Sequence, residues 1–458
     1  MFAATTYARR RRLLRERLDG GLVLLLGNTD SPRNFADNVY PFRQDSSFLY
    51  FVGLDRPGLA AVFDLDSGEE TVFGDELSID DIVWMGDQPS LAAQAARAGI
   101  AGTRPRGDLA GVVAGAAAAG RAVHTLPPYR AENRALLQSL LPAADPRPSQ
   151  ALREAVIDQR SVKSPEEIAE LEQAVDLSVA MHTAAMRFAR PGQTEAAVAA
   201  EVERVAMAAG SGLAFATIAT VDGQILHNHH HGNTLRPGAL FLLDAGAESP
   251  RHYAGDLSST FPVSPRFDSR QRAIYELSLQ AHEAALAAVG PGVPNREVHF
   301  TAARVIVAGL QGLGLMRGDT EAALAAGAHA MFFPCGVGHM LGLDVHDMED
   351  LGEQWVGYAG APRSTQFGLK SLRLARPLLP GFTITIEPGI YFIPQLIDLW
   401  RGEGRHAEFL NYDELEKWRD FGGIRNEENV LVTAAGSRVL GRERKPRTVD
   451  EVEALRAG

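Results

Sequence analysis

Residues Phe241–Phe261 read FLLDAGAESPRHYAGDLSSTF, and the rest of the chain is organised around them. Phe241 to Asp244 is apolar until it delivers a carboxylate. Twelve positions on, the segment YAGDLSSTF delivers a second one, Asp256. Gly246, Pro250 and Gly255 punctuate the space between, as in a loop that joins two strands. Strands joined this way can set Asp244 and Asp256 side by side. Two carboxylates so placed repel each other unless a cation or a shared proton lies between them. Two surface aspartates near a turn are the alternative, and the stretch alone leaves both readings open.

Four other segments bear on the choice. ILHNHHHGN carries His227, His229, His230 and His231. Four histidines this close could form a metal site or an exposed loop, and only His227, directly after Ile225 and Leu226, is placed to point inward. FFPCGVGHMLGLDVHDMED carries His339 and His346. Their odd separation would put them on opposite faces of an unbroken strand, but Gly336, Gly338 and Gly342 allow a bend that turns both to one cavity. In FTITIEPGIYF, Ile384 and Ile386 alternate with Thr383, Thr385 and Glu387, so Glu387 projects from the polar face. In GGIRNEENVLVT, Glu427 and Glu428 cannot share a strand face, whereas Arg425, Glu427 and Asn429 can. An arginine lowers the cost of ionising a neighbouring buried carboxylate, which singles out Glu427. Four carboxylates and an imidazole carry too much negative charge for one cavity without cations. A donor set this rich in oxygen suits Mn²⁺ or another hard-to-borderline divalent ion.

The 458 residues suffice for two or three domains, and 45% hydrophobic with 22% charged residues is ordinary for a globular protein. The net charge of -12 argues against nucleic acid or an anionic membrane as partner. The single cysteine, Cys335, excludes an internal disulfide framework and points to a reducing, cytoplasmic compartment. The apolar run Leu22–Leu26 is too short for a signal-peptide core or a membrane span. The basic run Arg9–Arg12 is expected on the solvated face of a first helix whose apolar side includes Leu13, Leu14 and Leu18.

Residues 1–150 read as a first domain of alternating helix and strand. GLVLLLGN is a buried-strand pattern, and the stretch from Tyr40 to Glu76 reads as three strand-like runs between Gly, Pro and Asp turns. Arg43, Gln44 and Asp45 suit a buried polar network better than a substrate-side lip. Residues 107–122, rich in Gly and Ala, are helix or connector. Pro142, Pro146 and Pro148 mark a boundary. The second domain, 151–458, opens at SVKSPEEIAEL, with Ser164 as N-cap, Pro165 in the first turn and Glu167 completing a capping box. That helix stops at Pro191-Gly192, and a second runs from about Thr194 to Ala209. The arrangement recurs with a helix from about Ser269, a stop at Pro291-Gly292 and another helix from Asn295 to Leu310. The two stops lie 100 residues apart, which suggests two related halves about a pseudo-twofold axis.

The ordered set Asp244, Asp256, His339, Glu387 and Glu427 resembles the dinuclear site of the pita-bread peptidases, which include methionine aminopeptidase, aminopeptidase P and prolidase. LLDAGAE, YAGDLSSTFPV, GVGHMLGLDVHD, TIEPGIYF and FGGIRNEENVLVT resemble the proline-specific branch, as does YPFRQDSSFLYFVGL in the first domain. The resemblance spans nearly the whole chain. It implies an α/β (α+β) fold with a creatinase-like N-terminal domain and a pseudo-twofold pita-bread catalytic domain. It implies two divalent metal ions, Mn²⁺ first and Co²⁺ or Zn²⁺ as alternatives, held by the five residues, with Asp256 and Glu427 shared. A water or hydroxide between the ions would attack the peptide carbonyl. Glu387 would also shuttle a proton, His227 and His346 would bind substrate and stabilise the intermediate, and Arg425 would brace the carboxylates. Substrates would be Xaa-Pro peptides and the assembly a homodimer.

Prolidase, which cleaves Xaa-Pro dipeptides, and aminopeptidase P, which acts on longer chains, both fit. The long segment between Glu387 and Glu427 and the stretch SLRLARPLLPGF look more like prolidases. In the latter, Arg373 matches the arginine that holds a dipeptide's free carboxylate. A catalytically silent binding module or a metal-free, creatinase-like hydrolase would lack several of the five ligands. Three departures from the pattern stand out. Cys335 replaces a histidine, Asn426 replaces an apolar residue, and the Asp244–Asp256 spacing is one longer than usual, which predicts an insertion near Ser249-Pro250.

Overall fold

The computed structural model describes residues 1–142 and 148–457; Pro146 lies outside the described residues. The chain forms two compact units, Met1–Arg160 with Asp350–Gly352, and Ser161–Glu349 with Glu353–Gly458. Among the described residues no helix is long and apolar enough to cross a membrane.

The first unit is a mixed five-stranded sheet in the order Gly102–Arg104, Glu70–Phe73, Ala60–Asp64, Leu22–Leu26, Val123–His124. Leu22–Leu26 runs antiparallel to Ala60–Asp64 and parallel to Val123–His124. Leu22, Leu24, Val62 and Phe73 form a core with Leu109 and Val113 of helix Leu109–Ala118, which resolves the Gly/Ala-rich segment as helix.

Two sequence expectations are corrected here. The run SSFLYFV is the helix Ser46–Val52, not a strand. Asp45 caps it by accepting from the Phe48 N–H at 2.8 Å, and Gly53 ends it in the left-handed region at φ 72°. These end signals override the β preference of its aromatic residues. The polar network is present around it, with Gln44 Oε1 accepting from the Asn28 and Asp45 N–H groups.

The basic run is only in part a solvated face: Arg9 and Arg12 are exposed as expected, but Arg10 and Arg11 are not, and of the expected apolar residues Leu14 is buried while Leu13 is exposed. Helix Ala4–Arg15 buries Arg10 and Arg11, the latter with 0% exposure. Arg11 Nε donates to Glu70 Oε2 at 2.7 Å, and its Nη atoms donate to the Phe51 and Ala98 carbonyls. Arg10 lies over the Tyr50 ring at 3.9 Å. Helix carbonyl ends and one carboxylate thus replace water around these cations.

In the second unit Ser164 and Glu167 form the expected capping box, and helix Pro165–Phe188 follows. It packs on Glu195–Ala208, and Ser269–Ala288 packs on Asn295–Gly312. The repeat holds at the level of single bonds. Gly192 N–H donates to Leu235 O, and Gly292 N–H donates to Leu378 O. Both glycines have positive φ, 90° and 82°, which explains the paired Pro-Gly stops.

Each helix pair feeds a three-stranded antiparallel sheet. One has the order Ile218–Thr220, Leu240–Ala245, Leu257–Pro262; the other has the order Gly436–Val439, Glu428–Thr433, Thr383–Ile386. A two-stranded ladder joins Gly389–Tyr391 to Gly423–Arg425. The site residues lie on these strands and at their ends.

Candidate metal centre

The opening stretch is a hairpin. Strands Leu240–Ala245 and Leu257–Pro262 pair with Asp244 opposite Ser258. Asp256 sits two residues before Ser258 and therefore faces the same side. Pairing continues toward the turn as a Glu248–Ala254 bridge, and the residues near Ser249-Pro250 bulge beyond it with His252 at φ 65°. The turn that joins the two strands therefore lies outside the ladder.

His339 is brought in by the second sheet. Its N–H donates to Thr385 Oγ1, and its carbonyl accepts from the Thr385 N–H. Thr383 and Thr385, the polar face of that strand, therefore meet the histidine loop and not solvent. His339 Nδ1 donates to the Met340 carbonyl at 2.9 Å, since a carbonyl can only accept. Nε2 then faces Asp256 Oδ2 at 3.3 Å and Glu387 Oε1 at 3.5 Å. A ligand atom from each of Asp256, His339 and Glu427 lies within 4.8 Å of the others. Glu387 follows strand Thr383–Ile386 and joins through His339.

Glu427 and Glu428 diverge as neighbours must. Glu427 Oε2 accepts from Ser258 Oγ at 2.8 Å, while Glu428 faces buried Lys445 at 3.8 Å. Asn429 returns to the Glu427 side, where its Oδ1 accepts from the Asp256 N–H and its Nδ2 donates to the Asp256 carbonyl. Asn426 is buried, with Nδ2 3.4 Å from Ser278 Oγ.

Arg425 fans out over four groups. Nε donates to Ser258 Oγ at 2.8 Å, Nη1 to Tyr391 Oη at 2.7 Å, and Nη2 to Asp244 Oδ2 at 2.6 Å and to the Leu226 carbonyl at 3.3 Å. Its direct ion partner is Asp244, and it reaches Glu427 only through the Ser258 hydroxyl.

The electrostatics are those of a cation site. Burial raises Glu387 to about 7, against the opposing charges of His339 and Arg425. Burial, with the charges of Asp256 and Glu387, holds Glu427 well above the carboxylate range. Asp256 is raised by burial too, although the His339 hydrogen bond opposes it. Burial lowers His339, but its bond to Asp256 and the Glu387 charge outweigh that and leave it raised. A proton or a cation must therefore stand among Nε2 and the two facing carboxylate oxygens. Asp244 Oδ1 is buried with no hydrogen-bond partner among the described residues. Carboxylate oxygens and one imidazole fit hard or borderline divalent ions.

The remaining expected residues form a second row. His346 sits with its ring 4.2 Å from that of His339, so the glycine-rich segment does bend both toward one place. Its Nδ1 donates to Glu349 Oε2 at 2.6 Å. Burial and the His339 charge lower His346 to about 4, and the His346 hydrogen bond holds Glu349 down to about 2. Arg373 is half-buried, and its Nη1 donates to Glu349 Oε1 at 2.5 Å and Glu353 Oε1 at 2.8 Å. His227 is exposed in the turn after Ile218–Thr220; partial burial and then the Arg425 charge lower it, with Arg373 adding to the effect. His231 Nε2 is 3.1 Å from the Thr217 carbonyl, away from the carboxylates. Cys335 is a neutral thiol raised to about 12 by burial and the Glu387 charge.

Sequence reasoning missed Ser258, Thr385 and Glu349. Glu349, three residues after His346, had a spacing that could have flagged it. The other two show only in the register between strands.

A carboxylate cluster with one tautomer-fixed histidine thus lies between two helix-pair-and-sheet halves, an arrangement able to hold divalent metal. Residues 169–434 match metallopeptidase family M24, and residues 7–124 match the aminopeptidase P N-terminal domain. The chain belongs to metallopeptidase family M24. It is 30% identical to the Xaa-Pro dipeptidase of Homo sapiens, over 96% of this chain and 89% of that one. It is 31% identical to the Xaa-Pro aminopeptidase of Escherichia coli (strain K12), over 98% and 97%. Aminopeptidase PepP of Pseudomonas aeruginosa superposes with a TM-score of 0.83 at 30% identity, over 100% of this chain and 98% of that chain.

Proposed function

We propose that this chain is a dinuclear metallopeptidase that hydrolyses Xaa-Pro bonds, with dipeptides as its preferred substrates. Residues 1–150 form its N-terminal domain and 151–458 its catalytic domain. Asp244, Asp256, His339, Glu387 and Glu427 would hold two divalent ions, Mn²⁺ before Co²⁺ or Zn²⁺, with Asp256 and Glu427 shared. When bound, such ions polarise a carbonyl and make water nucleophilic at neutral pH. The observation that carries this reading is the convergence of three facing acceptors, His339 Nε2, Asp256 Oδ2 and Glu387 Oε1, with Glu427 beside them.

The chain's own residues divide the remaining work. Glu387 passes a proton toward the prolyl nitrogen. Arg425 fixes the Asp244 carboxylate and, through Ser258, that of Glu427. His227 and His346 line the substrate, and Glu349 fixes the neutral His346 ring by accepting from its Nδ1, which turns Nε2 into a hydrogen-bond acceptor for substrate. A proline ring lacks an N–H, so a pocket shaped to it rejects ordinary peptides.

Arg373 supports the dipeptidase reading. Both acidic partners use Nη1, which leaves its Nη2–Nε edge without a partner among the described residues. Its charge is felt at His227 and His346. A free C-terminal carboxylate pairs with such an edge through two bonds. The whole-chain likeness to aminopeptidase PepP favours the second reading, removal of the residue before proline from longer peptides. Steady-state assay of Ala-Pro against Ala-Pro-Ala separates the two. A dipeptidase prefers Ala-Pro, and Arg373→Ala erases that preference by raising KM about 10-fold or more, the loss of one charge-assisted pair. Equal or better cleavage of the tripeptide by the unmutated protein supports the aminopeptidase.

We also place the protein in the cytoplasm as a homodimer. The lone, buried thiol suits a reducing compartment. Helix Ile79–Met85 of the first unit buries none of its residues and leaves Trp84 85% exposed beside Ile79, Val83 and Met85, an apolar face that suits self-association. Sedimentation analysis should give twice the chain mass, and Trp84→Glu should shift it toward the monomer.

A further inference from the structure

We propose that Lys163 is a positioning residue for His346, acting through Asp347. The inference rests on the role given to His346 above. Lys163 Nζ donates to Asp347 Oδ2 at 2.8 Å, and both side chains are 1% exposed.

Asp347 ties together the loop that carries both histidines. Its N–H donates to the Met340 carbonyl at 2.9 Å, next to His339. Its Oδ1 accepts from the Asp344 N–H at 3.3 Å. Its carboxylate also packs onto Gly342, where a Cβ would come within 2.3 Å of Oδ2. That glycine is required by the carboxylate's position, not by its own backbone angle. Beyond Asp347 the chain turns sharply, with Met348 at φ 65°. His346 is therefore held one bond away from a buried carboxylate that fixes the whole bend.

The other end of the link is just as fixed. The Lys163 N–H donates to the Gly381 carbonyl at 2.9 Å, and the Gly381 N–H donates to Val432 O. Gly381 leads into strand Thr383–Ile386 and so to Glu387. Lys163 thus connects the strand that leads to Glu387 with the loop that carries His339 and His346. A buried carboxylate that loses one charge-assisted partner shifts toward those that remain. That shift displaces the adjacent His346.

Lys163→Met, Lys163→Arg and Lys163→Gln are assayed on Ala-Pro and Ala-Pro-Ala below their melting temperatures, alongside metal content. Lys163→Met is expected to lower kcat about 10²-fold, the scale of an ~1 Å misplacement, with a smaller change in KM and unchanged metal content. Lys163→Arg, which keeps the charge, restores most of the loss. Should Lys163→Met fail to fold, Lys163→Gln, which keeps a donor without the charge, is expected to lose kcat in the same direction. Histidine-labelled carbon NMR of the metal-free protein gives a readout independent of turnover, in which the His346 ring signal shifts in Lys163→Met. A folded, metal-loaded Lys163→Met with unchanged kcat and an unshifted His346 signal overturns the inference. An unmutated protein that cleaves neither peptide overturns the functional reading instead, and the NMR comparison still decides this one.

Discussion

Glu427→Gln is expected to lose peptidase activity and bound metal together while the metal-free fold becomes more stable. The carboxylate is buried beside Asp256 and Glu387, and burial and those charges push its protonation far up. In the metal-free protein it is therefore a liability that an amide of the same shape relieves. The Ser258 hydroxyl can still donate to the amide oxygen. Elemental analysis should find metal lost, and kcat/KM should fall at least ~10³-fold, more than the loss of a single outer partner, which is 10–100-fold.

The same physics fixes a pH dependence. Glu387 moves from 4.5 to about 7 on folding, chiefly by burial, so the metal-free native state binds more protons than the unfolded chain in that window. Its contribution is fully present below pH 4.5 and is lost as pH rises through about 7, a change on the order of 3 kcal/mol. Metal-free protein should therefore melt at progressively lower temperature between these pH values. Added Mn²⁺ should recover the loss, because a cation takes the place of the proton. Stability that rises with pH in the metal-free protein would contradict this.

Arg425→Met should be the second most damaging change. The guanidinium serves Ser258, Tyr391, Asp244 and the Leu226 carbonyl at once, all buried or half-buried. Removing it leaves the Asp244 carboxylate buried without its ion partner, which costs about 3–5 kcal/mol. Activity should fall about 10²-fold or more through misplacement of Asp244 and, by way of Ser258, Glu427. Arg425→Lys should rescue little, because one ammonium cannot reach three directions that a planar fork reaches. Chemical denaturation and steady-state kinetics check the two parts separately. Full activity in Arg425→Lys would show that charge alone suffices.

The parts of this protein legible from sequence are those that depend on local chemistry. The capping box at Ser164 and Glu167, the paired Pro-Gly stops and the alternation of Thr383–Ile386 each carry their own signal within a few residues. The five carboxylate and imidazole candidates were visible because their residue types are costly to bury without a purpose. What stayed hidden depends on long-range partners. Arg10 and Arg11 look like surface charge until Glu70, Tyr50 and the carbonyls of Phe51 and Ala98 surround them. Ser46–Val52 looks like a strand because its aromatic side chains pack well in either state, and the Asp45 and Gly53 end signals are weak on paper. Arg425 was expected beside Glu427 by strand parity. The break between strands Gly423–Arg425 and Glu428–Thr433 directs it to Asp244 instead, and no local pattern announces that break. Lys163 and Asp347 are 184 positions apart, and only folding brings them together.

The central claim is metal-dependent cleavage before proline at this carboxylate centre. Its most direct measurement is hydrolysis of Ala-Pro and Ala-Pro-Ala by protein stripped with a chelator, then titrated with Mn²⁺ while bound metal is counted. The structure leads us to expect no turnover in the stripped protein and recovery that saturates at two ions per chain. Unchanged hydrolysis after complete metal removal, or cleavage of neither peptide by the fully loaded protein, would contradict it.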